Sequence, residues 1–181
     1  MRLIVTIALT MLMLTSAQAQ EAELTTFLLT RHAEKAKEGG RDPVLSKQGV
    51  ERAKALAAAL KHTDVDLIIS TPFKRTRQTV QLLATQKALT TQEYDYRNPK
   101  LLEDLINQYA GKTIVISGHS NTTPFLVNQL VGSEQFEQLD ESDYGKLFIV
   151  TCSKVGDGKA IVVNYGKIID SALNGLMMKK Q

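Results

Sequence analysis

A three-layer α/β/α sandwich with a mostly parallel, mixed sheet is the fold this sequence predicts. Three observations point to it. Short apolar runs at Thr25–Thr30, Val65–Ser70 and Thr113–Ser117 read as buried strands, each stopping abruptly on polar residues. Longer stretches with apolar residues at helical spacing alternate with them, which is the pattern of strands joined through crossover helices. Near the end, Lys146–Thr151 and Ala160–Tyr165 flank Gly156-Asp157-Gly158 as a hairpin that adds antiparallel strands to the sheet.

The first strand leads into a polar, glycine-containing loop, Lys37–Pro43. Ser46 follows as a helix N-cap, ahead of Val50, Ala53, Leu56, Ala57 and Leu60 on one apolar stripe. His62 closes that helix, where a cation suits the dipole. After the second strand, Thr71 and Pro72 read as N-cap and first residue of a helix running to about Gln86, with Val80, Leu83 and Ala84 inward. Tyr94–Arg97 reads as a short edge strand and Pro99–Tyr109 as a third helix. A fourth helix begins near Thr122–Pro124 and carries Phe125, Leu126 and Leu130.

The 181 residues are 43% hydrophobic and 23% charged, which suits one domain with a true core. Residues 1–19 are set apart as a signal peptide: Arg2 supplies the positive start, Leu3–Leu14 the apolar stretch and Ala17-Gln18-Ala19 the cleavage site. The apolar stretch is short for a membrane span, and position 20 is Gln20 rather than a lipidated Cys, so no stable membrane anchor is expected. Residues 20–181 then form the mature domain, periplasmic or secreted. Cleavage removes one positive charge from a formal net of +3, too small a balance for a nucleic-acid partner. The single Cys152 has no internal disulfide partner and reads as a core thiol.

The chemistry gathers at strand ends, where open α/β sheets place ligands. An Arg-His pair at one strand end is by itself an ordinary solvated rim. Here three strands deliver Arg31 and His32, then Arg75, then His119, with Asn121 just beyond. Two of these strands hand over to helix N-termini, which favour anions. The result is a positive pocket of phosphate size. Arginine forks onto phosphate oxygens, and its charge keeps a nearby histidine neutral and nucleophilic.

These residues carry a resemblance. Arg31-His32-Ala33 is similar to the Arg-His-Gly signature of the histidine phosphatase superfamily, in its phosphoglycerate-mutase-like branch. Ser70 or Thr71 through Arg75 resembles its Ser-x-x-x-Arg element, with the usual spacing when counted from Thr71. Gly118-His119 resembles its Gly-His element, and Asp42-Pro43-Val44-Leu45-Ser46 to Gly49 its connection into the first helix. The likeness runs from Phe27 to about Tyr165. It implies a phosphoglycerate-mutase-like fold, a small phosphorylated substrate, and no metal or other cofactor. It also implies a His32 that is transiently phosphorylated, phosphate held by Arg31, Arg75 and His119, and a carboxylic acid that protonates the leaving oxygen. Asp95, flanked by Tyr94 and Tyr96, is the first candidate for that acid because the aromatics would desolvate it. Glu34 is the alternative, although it could instead pair with Lys35 or Arg41. Ala33 departs from the usual glycine and would be strained at positive φ.

Other chemistries fit less well. Gly118-His119-Ser120-Asn121-Thr122 partly mimics a serine nucleophile elbow, but no later histidine exists to act as base. Gly158 stands where a cysteine phosphatase built on Cys152 would need arginine. The three histidines are too scattered for a metallophosphatase, and there is no P-loop. The expectation is an exported phosphomonoesterase working through a phosphohistidine. A phosphohistidine protein phosphatase, a phosphomutase-type transferase and a non-catalytic phosphate-binding module are the alternatives.

Overall fold

The computed structural model describes residues 23–166. The expected signal peptide, residues 1–19, lies outside them. Six strands form one sheet in the order β3-β2-β4-β1-β5-β6. These are β1 (Thr25–Arg31), β2 (Leu67–Ser70), β3 (Gln92–Glu93), β4 (Thr113–Gly118), β5 (Lys146–Cys152) and β6 (Lys159–Asn164). β1, β2, β3 and β4 run parallel, while β5 and β6 add on antiparallel. The three-layer sandwich with a mixed sheet is therefore the fold observed.

Helices α1 (Lys47–Ala59) and α2 (Lys74–Lys87) cover one face, and α3 (Leu101–Gln108) and α4 (Thr122–Val131) the other. Strand alternation sorts the core between them. Leu28, Ile68 and Val115 meet Leu56, Ala57, Val80 and Leu83 on the first face. Phe27, Leu29, Ile69, Ile114 and Ile116 meet Leu102, Ile106, Leu126 and Leu130 on the second. Each of these side chains larger than alanine contributes roughly 1.5–3 kcal/mol by leaving water. Cys152 is buried on the second face, where burial pushes its thiol pKa up to about 11. Among the described residues no helix is long and apolar enough to cross a membrane.

Several element boundaries differ from the sequence reading. Thr71 and Pro72 do not start α2. Phe73 is its N-cap in extended conformation, because the Thr71 hydroxyl is taken by Thr76 and His119. The edge strand is Gln92–Glu93 rather than Tyr94–Arg97, since the Asp95 carboxylate accepts from the Arg97 N–H and turns the chain away from the sheet. α3 begins at Leu101, not Pro99, and the second strand begins at Leu67, not Val65. Val50 and Phe125, assigned to apolar stripes, are exposed. Ser46 caps α1 as expected, accepting from the Gly49 N–H at 3.1 Å.

What positions a site is the register. Arg31 stands opposite Gly118 and Ser70 opposite Ser117, so β1, β4 and β2 end at the same level, side by side. Three loops leave the sheet from adjacent points.

Candidate active site

A cavity of about 710 Å³ opens at these three strand ends. Arg31, His32, Thr71, Arg75, His119 and Asn121 all line it. The two imidazoles lie edge to face, their centroids 5.5 Å apart.

His32 is held from both sides. Its backbone N–H donates to the Gly118 carbonyl at 2.9 Å, and its Nδ1 lies 2.8 Å from the Ala33 carbonyl. A carbonyl only accepts, so Nδ1 carries the proton and the Nε2 lone pair is left free. Burial lowers its pKa from 6.5 to about 3. The Ala33 bond opposes that shift, and Arg75, Arg31 and His119 reinforce it. His32 is therefore a neutral imidazole over the whole physiological range.

The departure at Ala33 costs nothing in strain. Among the described residues Ala88 is the non-glycine residue with positive φ, so Ala33 lies in an ordinary conformation. It is fully buried, and its N–H donates to Thr79 Oγ1 at 2.9 Å.

Arg31 is 2% exposed, which requires partners for its charge. The segment between α4 and β5 supplies them. Nη1 donates to the carbonyls of Asp140 (2.6 Å) and Asp143 (3.1 Å), and Nη2 reaches Glu141 and the Tyr144 hydroxyl, both at 3.4 Å. The guanidinium also lies 4.1 Å over the Tyr144 ring. Among the described residues, its Nε and that of Arg75 are buried donors without a partner. In a pocket of this charge, two unpaired N–H groups are the feature an oxyanion would satisfy.

Arg75, in the first turn of α2, faces Asp42 at 3.8 Å and His119 Nδ1 at 3.4 Å. An arginine offers only donors, so His119 presents Nδ1 as an acceptor and gives its Nε2–H to Thr71 Oγ1 at 3.0 Å. Burial first, then Arg75 and Arg31, lower its pKa to about 4. Thr71, not Ser70, thus lines the cavity, in keeping with the spacing to Arg75; the Ser70 hydroxyl turns back to the Thr71 carbonyl. Gly118 is required by closeness: a Cβ there would lie 2.9 Å from the hydroxyls of Thr122 and Thr123.

The two acid candidates fare differently. Glu34 does not line the cavity. It is a buried partner of Arg52 on α1, with Nη2–Oε1 at 2.6 Å and Nε 2.9 Å from both oxygens, rather than of Lys35 or Arg41. Asp95 does line the cavity, but its side chain is 62% exposed, because Tyr94 turns into the core while Asp95 turns out toward Arg97. The desolvation expected from its aromatic neighbours is absent. Glu93 and Glu141 are the other carboxylates on the wall. The sequence reading missed the segment Asp140–Tyr144 altogether. It has no motif, and its contacts with Arg31 span more than a hundred positions.

Comparison with known proteins agrees with this geometry. Residues 27–98 match the family model described as histidine phosphatase superfamily (branch 1). No curated protein matches the chain. Solved structures match at the level of fold. The protein histidine phosphatase SixA complexed with tungstate gives a TM-score of 0.65 at 18% identity, covering 77% of this chain and 96% of its own. A mycobacterial glucosyl-3-phosphoglycerate phosphatase gives 0.67 at 14% identity, covering 79% and 100%. Bacillus stearothermophilus YhfR gives 0.59 at 15% identity, covering 80% and 98%. Over residues 27–98 the chain is similar in sequence to the histidine phosphatase superfamily (branch 1), and over the described residues its fold matches those solved structures. Its sandwich is the phosphoglycerate-mutase-like one.

Proposed function

We propose that the protein is a phosphomonoesterase that hydrolyses a small phosphate ester through a phosphohistidine on His32. The observation that carries this reading is a neutral His32 with a free Nε2 lone pair, set among two arginines whose Nε donors are unpaired. The ester phosphate takes the place between Arg31, Arg75 and His119; the arginines hold the non-bridging oxygens while charge builds on them, and His119 joins them by turning its Nε2–H from Thr71 to the phosphate. Nε2 attacks phosphorus, the bond from phosphorus to the alcohol oxygen breaks, and that oxygen takes a proton from a carboxylic acid. Water then attacks the phosphohistidine, and inorganic phosphate leaves. Asn121, exposed at the start of α4, belongs to the substrate-binding wall.

Asp95 remains the proposed acid, since Glu34 is committed to Arg52 and the Glu141 carboxylate lies against Arg31. Substrates that differ in leaving group test it. Asp95→Asn should cripple alkyl phosphates and spare an activated aryl phosphate, which needs little protonation. Equal slowing of both, or of neither, removes Asp95 from the role.

The deciding experiment for the reaction is alkaline quenching of turnover, with mass spectrometry expected to find the phosphoryl group on His32. A label on Ser120 would favour serine chemistry instead. The likeness to SixA supports a second reading, in which the substrate is a phosphohistidine and the leaving atom is nitrogen. A phosphohistidine peptide cleaved far faster than any phosphate ester would establish it. Export is part of the same proposal. It predicts a mature N-terminus at Gln20 in the periplasm or medium, and intact Met1 on cytoplasmic protein would refute it.

A further inference from the structure

We infer that the cavity selects phosphate esters of a neutral, ring-bearing alcohol, with Phe73 and Tyr96 as the walls against which the ring lies. This rests on the phosphomonoesterase reading above.

The cavity, at about 710 Å³, is of the size that encloses a whole small molecule, and the arginine–histidine cluster supplies only part of its lining. Aromatic side chains stand along the remainder. Phe73 is 36% exposed and belongs to none of the packed core clusters. Its ring instead lies beside the proposed phosphate site, edge to face on His119 at 5.0 Å, with the Arg75 guanidinium 4.5 Å over it. Tyr96 is half-buried on the β3–α3 connection and lines the same cavity. Tyr96 also packs against the second-face core, whereas Phe73, a large apolar side chain on the cavity wall without a core role, offers a surface to a ligand.

Charge decides what kind of ligand. Outside the phosphate cluster the cavity wall carries two cations, and both are already matched: Lys35 with Glu141 at 3.8 Å and Arg97 with Asp95 at 3.4 Å. Glu93, also on the wall, pairs with Arg77. A second phosphate or carboxylate on the alcohol would meet Glu93, Asp95 and Glu141 and find no cation without a carboxylate partner. A neutral ring meets aromatic faces, with Ser120 and Asn121 available to its hydroxyls.

The test compares primary alkyl esters, whose oxygens need protonation equally: a hexose 6-phosphate, glycerol 1-phosphate and 3-phosphoglycerate. In kcat/KM the hexose ester should exceed the glycerol ester by about tenfold, the scale of apolar pocket contacts. It should exceed 3-phosphoglycerate by about a hundredfold, because like charges are set against each other. Phe73→Ala and Tyr96→Ala should each lower the hexose-to-glycerol ratio. A wild-type ratio near one, a preference for 3-phosphoglycerate, or an unchanged ratio in both variants overturns the inference. A uniform loss on all esters in both variants does so too, since it marks mere support of His119 and Arg75. Turnover of 4-nitrophenyl phosphate separates the two levels. With that activity present and no ring preference, this inference alone fails; without it, the phosphatase reading fails and takes this inference with it.

Discussion

The two ends of the cavity are built on different principles. At the phosphate end, His32, Arg75 and His119 follow strands paired in register, and each is fixed by neighbours from other elements. Away from it stand Glu93 at the tip of β3, the connection that follows through Arg97, and the Glu141 side chain. Their exposed charges pair with each other or with nearby exposed groups, and Glu141 also reaches the buried Arg31. On the proposed reading the contrast has a use: a rigid frame holds the reacting phosphorus, while the alcohol meets surfaces that can vary without disturbing it.

The largest effects should come from breaking the rigid end. His32→Ala should abolish turnover together with the covalent label, a loss of at least about a thousandfold. Arg75→Ala deletes a partly buried charged donor of the proposed phosphate site and should cost about a hundred- to a thousandfold in kcat/KM while leaving the fold intact. Circular dichroism and steady-state kinetics on the same preparations check both. Near-wild-type rates in Arg75→Ala would take that residue out of the site.

Next in size is the buttress behind His32. The Glu34–Arg52 pair is nearly buried, at 11% and 13% exposure, so Arg52→Met strands a carboxylate in a dry place. It should destabilise the protein by roughly 3–5 kcal/mol, read as a lower urea midpoint. Gly49→Ala strikes the same place from α1, where an added Cβ would lie 2.2 Å from the Glu34 carbonyl oxygen. Overpacking of that kind costs about 1–3 kcal/mol.

Protonation sharpens the contrast in another way. His32 and His119 have native pKa values of about 3 and 4 against 6.5 when unfolded. Between those values the unfolded chain binds protons that the native state refuses. Their contribution to stability is complete above about pH 6.5 and is lost progressively as the pH falls through 4 and 3. Imidazole proton shifts followed by NMR should stay flat for both rings from neutral pH down to about 5. A midpoint near 6.5 for either would contradict the buried, arginine-flanked geometry.

The same contrast explains what could be read from the amino acids alone. Strand ends followed by Arg-His, by Arg75 and by Gly-His were legible because a parallel sheet brings strand ends together by topology, whatever the side chains do. The Asp42–Gly49 pattern was legible too, and its physical basis is now plain. Asp42 Oδ1 accepts from the Lys74 N–H, Ser46 caps α1, and Gly49 lets the helix approach Glu34. The partners of Glu34 and Arg31 were not legible. Arg52 reaches Glu34 through packing of α1 against the end of β1, and Asp140–Tyr144 returns to Arg31 from the far side of α4. Neither is encoded by local periodicity. The surroundings of Asp95, though not its place on the cavity wall, differ from the expectation for a related reason: adjacent aromatics desolvate a carboxylate only if they close over it, and in an extended or turning segment neighbours point apart.

The smallest effect belongs to the open end. Glu141 Oε2 lies 3.4 Å from Arg31 Nη2 and 3.8 Å from Lys35 Nζ, and its side chain is 71% exposed. Both contacts are long and solvated, so together they are worth no more than about 1 kcal/mol. They nevertheless place a carboxylate on a nitrogen that a phosphate oxygen would use. Inorganic phosphate entering the pocket must displace it, and the displaced charge then sits near the bound anion. Glu141→Gln removes that competition while keeping the side chain's shape, and should tighten inorganic phosphate by about two- to fivefold in a calorimetric titration at low salt, within the same ~1 kcal/mol. The gain should shrink as salt is added, because an exposed charge is screened. Weaker phosphate binding in the variant would mean that Glu141 holds Arg31 in its working orientation. The Glu141 side chain would then serve the rigid end of the cavity, as the Asp140 and Asp143 carbonyls already do.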